Sequence, residues 1–185
     1  SAHCGPAPSF VSLAAELCNL TLLIDASSRT HIGRVRKNNE DAFRVDPELD
    51  LYVLSDGMGG QAHGEVASGL AIETILDHCR ESRNDPDITL FGNSRPDLCE
   101  RTNRLMSAVR MANRKIFDAA TQNPAQDGMG ATVVAAWLDG RRMSIVHVGD
   151  SRIYLLRGGS LEQLTADHSL VAENVRRGTM TRQEA

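Results

Sequence analysis

Short apolar runs separated by turn-forming residues predict β-strands on both sides of a long helical region. Three runs precede that region, and Asp46-Pro47-Glu48 lies between the second and the third, which predicts a hairpin. Four runs follow it, and Asp139-Gly140 and Gly158-Gly159 between them are typical of tight hairpin turns. The predicted strands cover residues 20–26, 42–45, 51–54, 131–138, 143–148, 153–157 and 160–164.

Two amphipathic helices are predicted between these groups of strands, because apolar residues recur there every three or four positions. The expected buried faces are Val66, Leu70, Thr74 and Ile75 in a helix starting at Gly64, and Leu98, Leu105, Val109, Ala112 and Ile116 in a helix ending near Asn123-Pro124. Asp-Pro and Arg-Pro steps predict a loop over residues 84–96. Antiparallel meanders around helices predict an α+β fold with sheet packed on sheet, rather than a doubly wound parallel sheet.

Composition narrows the class of protein without indicating an activity. The 185 residues suffice for one domain, and a net charge of −4 argues against a general nucleic-acid binder. No apolar window is long enough for a membrane span, and four scattered cysteines favour reduced thiols in a cytoplasmic protein. Residues 1–26 are interpreted as an N-terminal extension and first strand, and residues 27–185 as the domain proper.

Three short acidic motifs carry the candidate chemistry. They are Arg36-Lys37-Asn38-Asn39-Glu40-Asp41, Asp56-Gly57-Met58-Gly59-Gly60 and Gly149-Asp150-Ser151-Arg152. Each places carboxylates at a predicted strand end or beside glycines, where side-chain and backbone oxygens can converge on a hard cation. Because an arginine accompanies these carboxylates and no cysteine or histidine cluster does, the pattern indicates Mg²⁺ or Mn²⁺ acting on a phosphate.

Each motif taken alone has a simpler structural interpretation. Asp56-Gly57 could equally cap a glycine-rich turn, Glu40-Asp41 could be a solvated surface pair, and Asp150 could open a β-turn. The offsets of an EF-hand and the Gly-Lys-Ser/Thr of a P-loop are both missing, which excludes those two motifs. No G-x-S-x-G elbow surrounds Ser151, which argues against a serine hydrolase. His63, beside the acidic loop, is kept open as a proton donor.

Together the motifs resemble those of the metal-dependent PPM protein phosphatases, the type 2C serine/threonine phosphatases, in their bacterial form. The resemblance extends over residues 27–185 and follows the order and spacing of the family motifs. It rests on residues 33–41, 55–60 with 64–68, 130–133, and 148–152 with 164–169. The resemblance implies a sandwich of two antiparallel sheets flanked by helices, with a two-metal site at one end.

The resemblance also implies roles for individual residues. Asp56 would bridge two Mn²⁺ or Mg²⁺ ions, and Gly57 would add its carbonyl oxygen. Glu40 and Asp41 would hold metal-bound waters, and Asp41 and Asp56 would act with Arg36, which binds the substrate phosphate. The two cations would activate a water for in-line attack on phosphorus.

Two further positions of the motifs carry implications. Asp150 matches the family position of a third, weaker metal. Met58 stands where eukaryotic relatives carry a histidine proposed as general acid, which leaves a metal-bound water and His63 as alternative donors of the leaving-group proton.

The family pattern continues beyond Asp167-His168-Ser169 to a later Asp-Gly and a final Asp-Asn, whereas the sequence stops at Ala185. The expectation is an incomplete domain that lacks its C-terminal strands and has weak or no activity. Such a domain is expected either to self-associate through an open sheet edge or to be marginally folded.

The function implied by the resemblance is hydrolysis of phosphoserine and phosphothreonine in proteins. The implied partners are phosphorylated proteins, with a serine/threonine kinase as a further candidate. A non-catalytic PPM-like module that binds a phosphoprotein or regulates a kinase remains the alternative, and a domain that binds a divalent ion only for stability is a third.

Overall fold

The computed structural model describes residues 23–59, 63–168 and 181. In these ranges the strands are β1 (Asp41–Asp46), β2 (Leu51–Met58), β3 (Gly130–Ala131), β4 (Val133–Asp139), β5 (Arg142–Val148), β6 (Tyr154–Arg157) and β7 (Ser160–Gln163). The helices are α1 (His63–Asn84) and α2 (Glu100–Gln122), followed by a short 3₁₀ helix (Pro124–Gln126). None of the helices in the described part of the chain is long and apolar enough to cross a membrane.

All strand pairs among the described residues are antiparallel. Strands β1, β2, β4 and β5 lie side by side in that order, β3 pairs with the end of β2, and β6 and β7 form a separate two-stranded sheet. The predicted hairpins are confirmed, since Gly140 and Gly158 adopt the positive φ angles of +55° and +56° that tight turns require. The predicted antiparallel α+β architecture is therefore what the chain adopts.

The core lies between the five-stranded sheet and the two helices. Alternate residues of β2 and β4, among them Leu51, Val53, Ala135 and Trp137, point to this side and are buried with apolar residues of both helices. The Trp137 indole Nε1 also donates a hydrogen bond of 2.8 Å to the Leu49 carbonyl oxygen. This bond ties β4 to the turn that joins β1 and β2.

That turn is the predicted Asp46-Pro47-Glu48 hairpin connection. The Asp46 carboxylate accepts hydrogen bonds from the backbone N–H groups of Glu48 and Leu49 and lies 2.6 Å from Arg80 of α1. The aspartate therefore closes the hairpin and attaches it to the helix.

The predicted face of the first helix is partly wrong. Val66 is 42% exposed, whereas Thr74 and Ile75 are buried as expected. The buried ridge instead follows residues four apart, including Ala67, Ala71, Ile75 and Cys79. The small side chains of this ridge let the helix pack close to the sheet. The four-residue spacing of the buried positions therefore marks this face better than the size of their side chains does.

Two predicted strands differ in the structure. Residues 23–26 form no strand and Leu23 is 94% exposed, because no strand in the described ranges pairs with them; residues 20–22 lie outside those ranges. The predicted strand 131–138 is divided at Thr132 into β3 and β4. The domain boundary near residue 26 stays a prediction.

Strand β2 is longer than predicted and reaches Met58. Asp56 and Gly57 therefore lie inside a strand rather than beyond its end. The strand changes partners there, because Asp56 still pairs with β1 while Gly57 pairs with Ala131 of β3.

Candidate metal and phosphate site

Two carboxylates face each other where β2 changes partners. Asp41 of β1 is the direct cross-strand partner of Asp56, which places both side chains on the same face of the sheet. Burial, the nearby negative charge of Asp41 and that of Asp150 raise the pKa of Asp56, against the lowering influence of Arg36. Like charges at directly opposed positions repel, so this pair favours a shared cation.

Arg36 is the cation whose charge acts on Asp56. Its guanidinium Nη1 lies 3.6 Å from Glu40 Oε2, and its side chain is 66% exposed while that of Glu40 is 17% exposed. The arginine thus keeps most of its donors open to solvent beside two acidic groups. An exposed guanidinium in this place is able to bind two oxygens of a phosphate at once.

Two glycines bring β2 and the start of α1 into close backbone contact. A Cβ atom on Gly57 would lie 1.9 Å from the Gly64 carbonyl oxygen, and one on Gly64 would lie 2.8 Å from Glu40 Cδ. Neither position accepts a side chain without moving backbone or the glutamate. Both glycines are therefore required for the close contact between β2 and α1, and the role of Gly57 in binding metal stays a prediction.

The backbone of Glu40 is fixed by the same contact. Its carbonyl oxygen accepts hydrogen bonds from the Gly57 N–H at 3.1 Å and from the Ser68 hydroxyl at 2.7 Å. The acidic motif is consequently attached to both β2 and α1.

Thr132 connects the Asp56 motif to the Asp150 motif. Its hydroxyl accepts a hydrogen bond of 3.0 Å from the Asp56 N–H and lies 2.7 Å from the Ser151 hydroxyl, while its own N–H donates to the Asp56 carbonyl oxygen at 2.8 Å. Gly149 has a φ of +97°, and a Cβ there would lie 2.7 Å from Thr132 Cγ2. Thr132 thus positions both acidic motifs.

The Asp150 loop is held from its other side as well. The Arg152 guanidinium donates to the Asp167 carboxylate at 2.6 and 2.9 Å, and the His168 N–H donates to the Gly149 carbonyl oxygen at 2.9 Å. The rings of His147 and His168 stack with centroids 4.4 Å apart. These contacts leave the Asp150 side chain exposed while its backbone is fixed.

A polar network behind Asp41 was not predicted from the sequence. Asn39 accepts a hydrogen bond from the Asp41 N–H at 3.2 Å and donates to the Thr30 hydroxyl at 2.8 Å, and that hydroxyl donates to Asp41 Oδ2 at 3.3 Å. Thr30 and Thr132 carry no motif of their own. Only their closeness in space to Asp41 and Asp56 reveals a positioning role.

The donor set suits a hard divalent cation in part. Asp41 and Asp56 offer adjacent oxygen ligands, the chemistry that Mg²⁺ and Mn²⁺ prefer. Within residues 23–59 and 63–168, however, no group of three or more His, Cys, Asp or Glu side chains converges on a possible metal position. The individual roles assigned to Glu40, Gly57 and Asp150 stay predictions.

Comparison with protein families decides the relationship. Residues 29–184 match the family model described as Protein phosphatase 2C. The chain belongs to the type 2C phosphatase family. The resemblance drawn from the motifs is thereby confirmed.

Curated type 2C relatives agree with this membership. The chain is 37% identical to the serine/threonine protein phosphatase PstP of Mycobacterium tuberculosis over 169 residues. These residues cover 91% of the chain and 30% of PstP. It is 35% identical over 163 residues to the serine/threonine phosphatase stp of Listeria welshimeri, covering 86% of the chain and 61% of that relative.

Solved structures agree as well. The crystal structure of M. tuberculosis PstP superposes with a TM-score of 0.66 at 38% identity, over 82% of the chain and 58% of PstP in that structure. The PstP catalytic domain in complex with two manganese ions gives a TM-score of 0.64 at 39% identity, over 82% of the chain and 59% of that domain. The chain thus spans less than two thirds of the relatives it matches.

Proposed function

We propose that the chain carries part of the catalytic machinery of a metal-dependent protein serine/threonine phosphatase. The observation that supports this proposal most is the cross-strand pair of Asp41 and Asp56 beside the exposed Arg36. The two carboxylates repel each other, which destabilises the fold unless a cation binds between them. The nearby guanidinium has unpaired N–H donors that can bind phosphate oxygens.

The proposed assignment uses the residues of the chain as follows. Asp56 and the Gly57 carbonyl oxygen would hold Mn²⁺ or Mg²⁺ directly, Glu40 and Asp41 would hold it through bound waters, and Asp150 would hold a weaker third ion. Two bound cations supply an activated water as nucleophile and neutralise charge on the phosphoryl group.

Arg36 orients the phosphoserine or phosphothreonine of a substrate protein. Thr132 and the Asn39–Thr30 pair keep the two aspartates in place through the hydrogen bonds described above. Met58 carries no titratable group, so a metal-bound water and His63 are the two candidate donors of the leaving-group proton.

Because the chain spans less than two thirds of its relatives, the assay uses a protein that continues through the later Asp-Gly and Asp-Asn motifs of the family. Hydrolysis of a phosphothreonine peptide by that protein tests this assignment. Turnover should require Mn²⁺ or Mg²⁺, stop in EDTA, and fall at least about a hundredfold in Asp56→Asn. Arg36→Ala should raise KM about tenfold with a smaller change in kcat, because the arginine binds phosphate in both the ground state and the transition state.

Arg157→Ala is the matched control for this assay, since Arg157 is exposed at the end of β6 and belongs to none of the three acidic motifs, so its loss should leave both constants unchanged. Metal-independent turnover, or a normal KM in Arg36→Ala, would contradict the assignment. Phosphopeptide binding without any turnover would favour the alternative, a non-catalytic module that binds phosphoproteins or regulates a kinase.

We further propose that the chain is cytoplasmic.

We also propose that the chain self-associates through exposed strands. Leu156 and Leu161 of the β6–β7 hairpin are 70% and 66% exposed, and β5 lies at the edge of the larger sheet in the described ranges. Unpaired edges and apolar side chains in water favour pairing with another chain. Light scattering tests this, and a monomer at all accessible concentrations would exclude it.

A further inference from the structure

A charged cavity lies at the opposite end of the sheet from Asp56. It occupies about 360 Å³ between the end of α1, the first turn of α2 and the β4–β5 hairpin. Strand β4 separates the two places by six residue steps, which is roughly 20 Å of extended chain. This cavity is called the arginine pocket, and its defining residues are Arg83, Arg101, Arg104 and Arg142.

The arginine pocket carries uncompensated positive charge. Arg101 lies 3.3 Å from the Asp139 carboxylate, and Arg104 pairs with Glu100. Arg83 and Arg142 have no acidic partner among the residues that the structure describes. Since Asp139 and Glu100 are the acidic residues that line the cavity, its lining has a formal charge of about +2.

Neutral groups hold three of these guanidinium groups in place. Arg101 Nη1 donates to the Leu138 carbonyl oxygen at 2.9 Å, and its guanidinium lies over the Trp137 ring with Cζ 4.9 Å from the centroid. Arg104 donates to the Ser82 and Pro86 carbonyl oxygens, and Arg83 donates to that of Glu48. Carbonyl oxygens fix an arginine without neutralising it, so the positive charge is preorganised.

Arg142 differs from these three. It lies at the first position of β5, across the hairpin from Asp139, and none of its five N–H donors has a partner in the described ranges. An exposed arginine with all its donors open, facing a cavity whose other arginines are already placed, suits an anion that two guanidinium groups can share.

One buried hydroxyl group, that of Ser144, also lines the cavity. Ser144 is 6% exposed, and its hydroxyl accepts a hydrogen bond of 2.9 Å from Thr102 Oγ1 in the first turn of α2. The positive end of this 23-residue helix acts in the same direction as the arginines.

We propose that the arginine pocket binds a phosphoryl dianion, as inorganic phosphate or as the phosphate of a phosphorylated side chain. The +2 charge of the lining matches the charge of such a group, and planar guanidinium groups bind pairs of phosphate oxygens. Binding here does not depend on the proposed phosphatase activity, because no residue of the arginine pocket belongs to the Asp41–Asp56 site. The pocket would therefore give the protein a phosphate site remote from its catalytic residues.

Cys99 provides a local reporter, because its thiol lines the same cavity. Hydrogen bonds from the Thr102 side chain and backbone and from Ser144 lower the pKa of Cys99 to about 7. At pH 7.5 the thiolate is therefore well populated and reacts with iodoacetamide. A bound anion would cover the Cys99 sulfur and would also disfavour the thiolate through charge repulsion. Both effects would slow alkylation.

The experiment measures the alkylation rate of Cys99 by mass spectrometry of its peptide, in the full 185-residue chain with EDTA present. Inorganic phosphate and a phosphoserine peptide are tested against an unphosphorylated peptide and against sodium chloride at equal ionic strength. We expect the phosphoryl compounds to slow alkylation at least about fivefold, with no effect of the other two. Protection by free phosphate alone assigns a small-anion site, and protection by the phosphopeptide alone assigns a docking site for phosphorylated proteins; both support the proposal.

Variants then locate the effect. Arg83→Gln combined with Arg142→Gln should abolish the protection, whereas Arg157→Gln, a matched exposed arginine, should retain it. Circular dichroism checks that the double variant is folded, and the wild-type result stands by itself if it is not. Equal protection by sodium chloride, no protection by any phosphoryl compound, or full protection in a folded double variant would overturn the proposal.

Discussion

The two ends of the central sheet carry opposite charge, and the charged side chains are held in different ways at each end. At the acidic end, Asp41 and Asp56 face each other across β1 and β2, and the exposed Arg36 is the nearby cation. At the basic end, the arginine pocket holds its guanidinium groups with backbone carbonyl oxygens and partial ion pairing. Both ends leave charge available to a ligand. The carboxylates of the acidic end can bind a cation, and the guanidinium groups of the basic end can bind an anion.

The two ends also contribute to the stability of the fold in different ways. The acidic end depends on backbone contact between glycines, whereas the basic end also contains the β1–β2 turn, which Asp46 attaches to α1 through Arg80. Substitutions at the two ends should therefore affect stability for different reasons.

The largest effect should come from Gly57→Ala at the acidic end. A Cβ atom there would meet the Gly64 carbonyl oxygen at 1.9 Å, so strand or helix must move. We expect a loss of about 3 kcal/mol or more in the free energy of unfolding, measured by urea denaturation. Gly69→Ala is the matched control, because nothing lies within 4 Å of its Cβ position in α1, and it should stabilise by about 0.5–1 kcal/mol. Equal effects of the two changes would contradict the close contact.

An intermediate effect is expected for Asp46→Asn at the basic end. Burial acts to raise the pKa of Asp46, but the Leu49 N–H and the Arg80 guanidinium outweigh it and hold the pKa below its usual value. Its stabilisation is therefore present above the ordinary carboxyl pKa and lost as pH falls through the folded-state value. The substitution should cost about 2 kcal/mol at pH 7 and reduce the loss of stability on acidification.

Asp77→Asn is the control for this prediction. Asp77 also lies near Arg80, at 3.7 Å, but its side chain is 65% exposed, so its loss should cost less than about 0.5 kcal/mol. If both variants lose the same stability at pH 7, the buried position of Asp46 contributes nothing.

The smallest effect, and one of opposite sign, is expected for Asp41→Asn. In EDTA the change removes repulsion with Asp56, so the free energy of unfolding should rise by about 0.5–1 kcal/mol. The same variant should lose the additional stability that Mn²⁺ gives the wild-type chain. Thermal unfolding with and without Mn²⁺ measures both, and a variant still stabilised by Mn²⁺ to the wild-type extent would remove Asp41 from the metal site.

Much of the fold was predictable because strands and turns are encoded locally. Alternating and continuous apolar runs identified most strands, and Asp139-Gly140 identified the β4–β5 hairpin, where Gly140 accepts a φ of +55° at no steric cost. The face of α1 was less predictable, because Ala67 and Ala71 are buried by close approach to the sheet rather than by their hydrophobicity. Residues 23–26 show the same limit, since an apolar run becomes a strand only beside a partner.

The candidate site divides in the same way. Sequence by itself identified the acidic motifs and Arg36, because ligand chemistry depends on residue type and the motif order is that of the type 2C family. Only the tertiary structure decided that Asp41 lies opposite Asp56, that Thr132 connects two motifs, and that four arginines from three elements share one cavity. Strand register and helix packing bring distant residues together, and neither is set by neighbours along the chain.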